Sequence, residues 1–314
     1  MARDETGWNL GRIVKAQEQE ADREGPGRSI AFDSIRITDG TVTIADGQPP
    51  DGYRLPERIE GLNVRGAFNY EPVHYTVDIE HVGFRATAPD VTLQALSGTI
   101  AVRDDNLYIE QLELNTGESA VRVDGVIEGY ATTPVMKLTT TGNVSLPEIG
   151  RIVPAVADYP LHPRFDIAAN GPAERLSLDL EVQTEAGAID GQVTADVNGP
   201  EMGVEGDVAV QNLDLAPILQ DPEQRSDITG QATLDLDIAG GPEDASVLER
   251  LNGSFTFEGP RVVAAGYQAT DVRARGSIDG PRINLDARAR AYGGSATTRG
   301  FIVTPGETRP FSLD

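Results

Sequence analysis

The chain has 314 residues, with 50 Asp and Glu against 26 Lys and Arg and no cysteine. A net charge of −24 argues against nucleic acid, whose phosphates are held by neutralising Lys and Arg, and against adsorption to anionic lipid headgroups. The absence of cysteine excludes a disulfide framework and any thiolate metal site.

Aromatic residues make up only 5%, beside 34 Gly and 20 Pro. Length alone allows about two domains, but this lean, turn-rich apolar set suits many short strands better than a thick core. The acids are scattered at alternating positions, which reads as solvated strand faces. No apolar run is long enough to cross a bilayer as a helix, and the charged start MARDETGWNLGRIV has no hydrophobic signal core.

In chain order, Trp8, Leu10, Ile13 and Val14 fall on one helical face, so residues 1–28 read as a short amphipathic helix and a polar linker. In SIRITDGTVTI (34–44), Asp39-Gly40 between alternating runs predicts a hairpin turn. Short strands come next at close spacing, with Leu62, Val64 and Phe68 on one face, then Tyr75, Val77 and Ile79, then Val91, Leu93 and Ala95. Ile100 and Val102 precede a turn at Asp104-Asp105-Asn106, Leu107 and Ile109 lead to Leu112 and Leu114, and Val121 and Val123 come after Thr116-Gly117. Residues 29–141 therefore read as a first antiparallel meander.

From 142 to 314 the pattern becomes strands joined to short helical turns. Pro147 starts one such turn and Pro154 ends it, LDLAPIL (213–219) repeats the device, and 245–251 comes after Asp244 as a candidate N-cap. Between the first two, Leu176, Leu178, Leu180 and Val182 alternate strictly with Ser177, Asp179 and Glu181. A strand points successive side chains to opposite faces, so one face is apolar and the other acidic. Asn170-Gly171-Pro172 is the expected turn before this run, and Gly187 and Gly191 punctuate the stretch after it. A degenerate repeat recurs at 119–129, 186–196 and 295–303. The count is roughly fifteen to twenty strands, which at about 4.8 Å each make a sheet some 70–95 Å long that has to curl or split. The last residues stop where an alternating strand has begun, so a piece of a longer chain is expected.

Signatures of catalysis are missing: there is no G-x-S-x-G, no phosphate-binding G-x-x-x-x-G-K, no G-x-G-x-x-G and no H-E-x-x-H. His74, His81 and His162 form no ligand pattern, and Asp235 and Asp237, interleaved with Leu234, Leu236 and Ile238, read as the wet face of a strand. No enzyme, metal or cofactor is expected, although fifty acids leave accidental carboxylate pairs open to a carbohydrate-active reading. The remaining candidate site is the apolar strand face itself: Val121, Val123, Leu176, Leu178, Leu180, Leu234, Leu236, Ile238, Ile283 and Leu285. The pattern leaves two readings open. These residues form the sealed core of a structural or adhesive β-scaffold, or they line a gutter for acyl chains on a long sheet that curls without closing.

The order GWNLGRIV (7–14), a polar linker and SIRITDGTVTIADG (34–47), with SLPEIGRIVP (145–154) and NLDLAPIL (212–219) further on, resembles the AsmA-like and TamB superfamily over essentially the whole chain. The resemblance implies an elongated, curled, taco-like antiparallel sheet with an open hydrophobic groove and a few short amphipathic helices. It implies a periplasmic location in a diderm envelope, with inner-membrane tethering by an N-terminal helix in the full-length protein. It also implies a non-enzymatic role in carrying phospholipid or other acyl-chain lipid between the membranes, or in supporting outer-membrane assembly proteins. The family's membrane anchor and C-terminal region are absent from this sequence, so it does not separate an AsmA-type from a TamB-type role.

Overall fold

The computed structural model describes residues 3–4, 7–8, 29–44, 53–71, 74–198, 202–240, 247–264 and 266–303. Two two-residue strands, β1 (Arg3–Asp4) and β2 (Gly7–Trp8), pair with each other. Trp8 is therefore in a strand and not in the expected helix; Thr6 and Gly7 are weak helix formers. The rest of that expected helix and its linker lie outside the described residues.

Sixteen further strands form one antiparallel, curled and unclosed sheet. In order they are β3 (Ile30–Thr43), β4 (Arg58–Glu71), β5 (His74–Thr87), β6 (Val91–Arg103), β7 (Asn106–Thr116), β8 (Ala120–Glu128), β9 (Val135–Asn143), β10 (Arg164–Pro172), β11 (Leu176–Thr184), β12 (Gly187–Asp196), β13 (Met202–Leu213), β14 (Ser226–Ile238), β15 (Leu251–Ala264), β16 (Tyr267–Asp279), β17 (Arg282–Ala291) and β18 (Gly294–Val303). Each strand pairs with its sequence neighbours, and the meander runs from β3 to β18. Eleven of the fifteen connections are six residues or fewer, which favours pairing of sequence neighbours as antiparallel hairpins. Fifteen steps between sixteen strands make about 72 Å along the curl at about 4.8 Å per step.

Asp39-Gly40 does not turn the chain. β3 runs straight through it, with Gly40 opposite Leu62 and register shifts on both sides. A two-residue hairpin of the expected type needs positive φ at both central residues, and only Asp39 (φ 52) is left-handed. One left-handed residue makes a β-bulge, and the Asp39 amide freed from the ladder donates to Asn63 Oδ1 at 3.3 Å. Asn170-Gly171-Pro172 also stays in its strand, with Pro172 opposite Val135; the reversal is made by the 3-10 turn Ala173–Arg175. Pro172 is extended (φ −71, ψ 160) and lies beyond the last β10–β11 pair, where its missing N–H costs no ladder bond. Gly187 does come after a turn, at Glu185-Ala186, whereas Gly191 sits inside β12.

The proline-started helix is α1 (Leu146–Ile149), capped by Ser145, whose Oγ accepts from the Glu148 N–H. The LDLAPIL segment closes one helical turn through the Leu219 N–H to the Leu215 carbonyl, then reverses at Gln220 (φ 53) into the 3-10 turn Pro222–Gln224. Of the third candidate, α2 (Val247–Arg250) is helical and Leu251 already opens β15, while Asp244 lies outside the described residues.

Glu148 ties α1 to the β7–β8 hairpin. Its carboxylate is buried and accepts from Thr116 Oγ1 (2.5 Å), Ser119 Oγ (2.6 Å) and the Gly117 N–H (3.2 Å). Burial alone would raise this pKa, but the hydrogen bonds from Ser119, Thr116 and the 117–118 backbone outweigh it and hold the group below the usual carboxylate value. The principal apolar core is small: Val193, Val208 and Val210 at its centre, with Leu178, Leu180, Ile189, Val204, Leu213, Ile228, Ala232, Leu234 and Phe257 around them.

Candidate apolar binding face

In an antiparallel ladder directly opposed residues point to the same side, so the register shows which side chains share a face. One row crosses all sixteen strands. It runs Phe32, Phe68, Val77, Ile100, Ile109, Gly125, Leu138 and Ala169 through β3–β10. It continues as Leu178, Val193, Gly206, Leu234, Phe255, Gly276, Leu285 and Gly300 through β11–β18. Every position is apolar or glycine. The row one residue away, on the other face, reads Lys137, Asn170, Ser177, Thr194, Glu205, Asp235, Ser254, Ser277 and Asn284 from β9 to β17. From β9 to β17 the alternation seen in single strands is thus held in phase from strand to strand, so the two faces of the sheet differ there. On β8, β7 and β6 the opposite-face row continues as Val126, Tyr108 and Ala101 and is itself apolar or aromatic.

All ten sequence-derived candidates lie on the apolar face. Leu178, Leu234 and Leu285 belong to the sixteen-strand row. Val123 and Leu180 belong to the next row through Thr140 and Ile167, and Val121 to a third through Gly142, Phe165 and Val182. Leu176 leads through Ala195 and Val204 to Leu236, then through Gly253 and Ile278 to Ile283, and Ile238 opposes Leu251. Leu176 is buried and the other nine are half-buried. Asp235 and Asp237 are exposed on the opposite face.

The face also contains aromatic residues that sequence reasoning missed. Phe255 and Phe257 alternate in SFTFEG, a strand signal as plain as that of β11. Their rings lie over glycines: Phe255 covers Gly276, and Phe257 covers Gly230 and Gly259. Glycine opposite a large side chain lets the ring lie flat across the neighbouring strand, a device for curving sheets. The sequence shows each glycine but not its partner in register.

The substantial contacts between elements join neighbouring strands, apart from the helical turns resting on elements next to them. Among the described residues, no second sheet or long helix packs over the apolar face. At the β3 edge the face meets solvent: Ile30, Phe32, Ile35 and Ile37 are 38–53% exposed. There is no titratable side chain in the sixteen-strand row, and it can offer a ligand only apolar contact. The charged groups are on the other face, for example Asp286, whose pKa is lowered by hydrogen bonds from Arg299 and Arg275. His74 pairs with Asp104 at 3.1 Å and His162 with Glu185 at 3.0 Å, and no group of metal-ligating side chains occurs among the described residues. No described helix is long and apolar enough to cross a membrane. No protein-family model matches the chain, nor does any curated protein or solved structure.

Proposed function

We propose that this chain is a non-enzymatic lipid-binding segment whose apolar sheet face holds and passes acyl chains. Its place would be between the two membranes of a diderm envelope, as the resemblance to AsmA-like and TamB proteins implies. The observation that carries the reading is the apolar row unbroken across sixteen strands. A structural scaffold needs apolar residues where layers meet, whereas a path for chains needs them at every step. Each methylene removed from water is worth about 0.8 kcal/mol, so such a path retains an acyl chain without any special residue.

The test is native mass spectrometry of the chain purified from bacterial cells, with extraction and identification of bound lipid. Leu236→Glu is the informative variant, because Leu236 is on the face but outside the principal valine-centred cluster. Leu178→Glu strikes that cluster and puts the fold itself at risk. Co-purified phospholipid that disappears in a folded Leu236→Glu chain is the expected result. A folded wild-type chain free of lipid, which takes up none from vesicles, would point instead to a sealed β-scaffold.

A further inference from the structure

On the face opposite the apolar row, Arg36 is directly opposed by Arg65, and Arg65 by His81. Directly opposed like charges destabilise a sheet, and this chain has acids to spare. Elsewhere it uses them: Arg103 pairs with Glu110, Arg275 and Arg299 with Asp286, and Arg261 with Asp227. Among the described residues, no carboxylate lies within ion-pair distance of Arg36 or Arg65. Like charges also stand directly opposed at Glu181/Asp190, Glu205/Asp235 and Arg273/Arg288, where solvent screens them. What sets Arg36 and Arg65 apart is the hollow they share with His81.

The backbone opens a hollow at this spot. β3 bulges at Asp39, β4 slips between Glu60 and Asn63, and β5 carries Glu80 as an extra residue between Ile79 and His81. Three irregularities on adjacent strands leave a cavity of about 320 Å³ lined by Arg36, Thr38, Asn63, Arg65 and His81 together with Ile37 and Val64. Asn63 pins its wall, accepting from the Asp39 N–H and donating through Nδ2 to the Gly61 carbonyl at 2.8 Å. The His81 ring lies over Gly83, where a Cβ would come within 3.0 Å of Nε2 and within 3.0 Å of the Gln94 carbonyl oxygen. Bulges that re-aim side chains into one hollow are a recurrent feature of binding sites.

We infer that the Arg36–Arg65–His81 hollow binds a phosphate group. Two guanidiniums offer planar donor forks and the imidazole a further N–H around one hollow, a donor set better matched by the several acceptor oxygens of a tetrahedral phosphate than by the two of a carboxylate. The site is on the opposite face from the apolar row and stands or falls independently of the lipid reading. Its phosphate is either a free anion or the headgroup of a phospholipid.

The Arg Nε–Hε resonances of the isotopically labelled chain, titrated with inorganic phosphate at low salt, read the site directly. Saturable shifts at Arg36 and Arg65 are expected, with Arg36→Gln or Arg65→Gln weakening binding about tenfold or more. Arg288→Gln, an exposed arginine on β17, is the control and leaves the affinity unchanged. Flotation with phosphatidic acid vesicles identifies the source. Loss of co-flotation in the same two variants assigns the site to a headgroup, and phosphate binding without co-flotation assigns it to the free anion. The inference is overturned if phosphate gives no saturable shift, if acetate binds equally well, or if Arg288→Gln weakens binding as much as Arg65→Gln. Circular dichroism confirms that each variant is folded before its affinity is compared.

Discussion

Strands β3–β8 and β8–β13 are built from the same kind of sequence and make different kinds of sheet. Each of the five pairs from β3/β4 to β7/β8 contains a register shift. The five pairs from β8/β9 to β12/β13 contain none. The regular stretch contributes most of the packed valine cluster, since unbroken register stacks side chains of one face in contact over several strands. The bulged stretch contributes nothing to that cluster, and its shifts open the Arg36–Arg65–His81 hollow on the polar face. Two of these bulges give their freed amide a side-chain partner. The N–H of Asp39 (φ 52) donates to Asn63, and that of Gln111 (φ 49) to Asp124 at 2.7 Å, each on the neighbouring strand.

The difference can be broken most severely at glycine. Gly125 (φ 140) lies where a Cβ would strike the Lys137 carbonyl oxygen on the adjacent strand, so Gly125→Val should cost about 3 kcal/mol and lower the urea midpoint sharply. An unchanged midpoint would show that the regular stretch is not closely packed at β8/β9.

Glu148 stands at the junction of the two stretches, and Glu148→Gln should cost about 1–2 kcal/mol through its lost charge-assisted bonds. Because its folded pKa is lowered from 4.5, this contribution is present above that value and is lost as the pH falls through the folded pKa. Thermal melts from pH 6 downwards should therefore show a shallower acid limb in the glutamine variant. Parallel limbs would remove Glu148 as the acid-sensitive link.

The smallest effect belongs to the bulged stretch. Gly61 (φ 60) faces open space where a methyl group would go, so Gly61→Ala pays only for the left-handed backbone, about 1 kcal/mol, and Gly61→Asn less. Hydrogen exchange at β4 would register the difference. A loss at Gly61 as large as at Gly125 would erase the distinction between the two stretches.

Much of this architecture is legible in the residues. Strict alternation at Leu176–Val182 and Leu234–Ile238, the turn at Asp104-Asp105 and the short helix after Ser145 appear where local pattern places them. They are readable because period, turn chemistry and capping act over a few residues. Local signals fail where a neighbouring strand overrides them. Asp39-Gly40 carries a hairpin signature, yet Asn63 and the unbroken pairing with β4 hold the chain in a bulge. Asn170-Gly171-Pro172 has turn composition, yet β9 keeps all three residues in the ladder.

The residues alone settle the class of structure and the two-faced strands, because side-chain alternation is a property of a single extended chain. It takes the assembled sheet to align sixteen apolar faces into one row and to stand Arg36, Arg65 and His81 side by side. Register is a relation between strands, set by bulges and by glycines opposite aromatic rings, and no strand contains it alone.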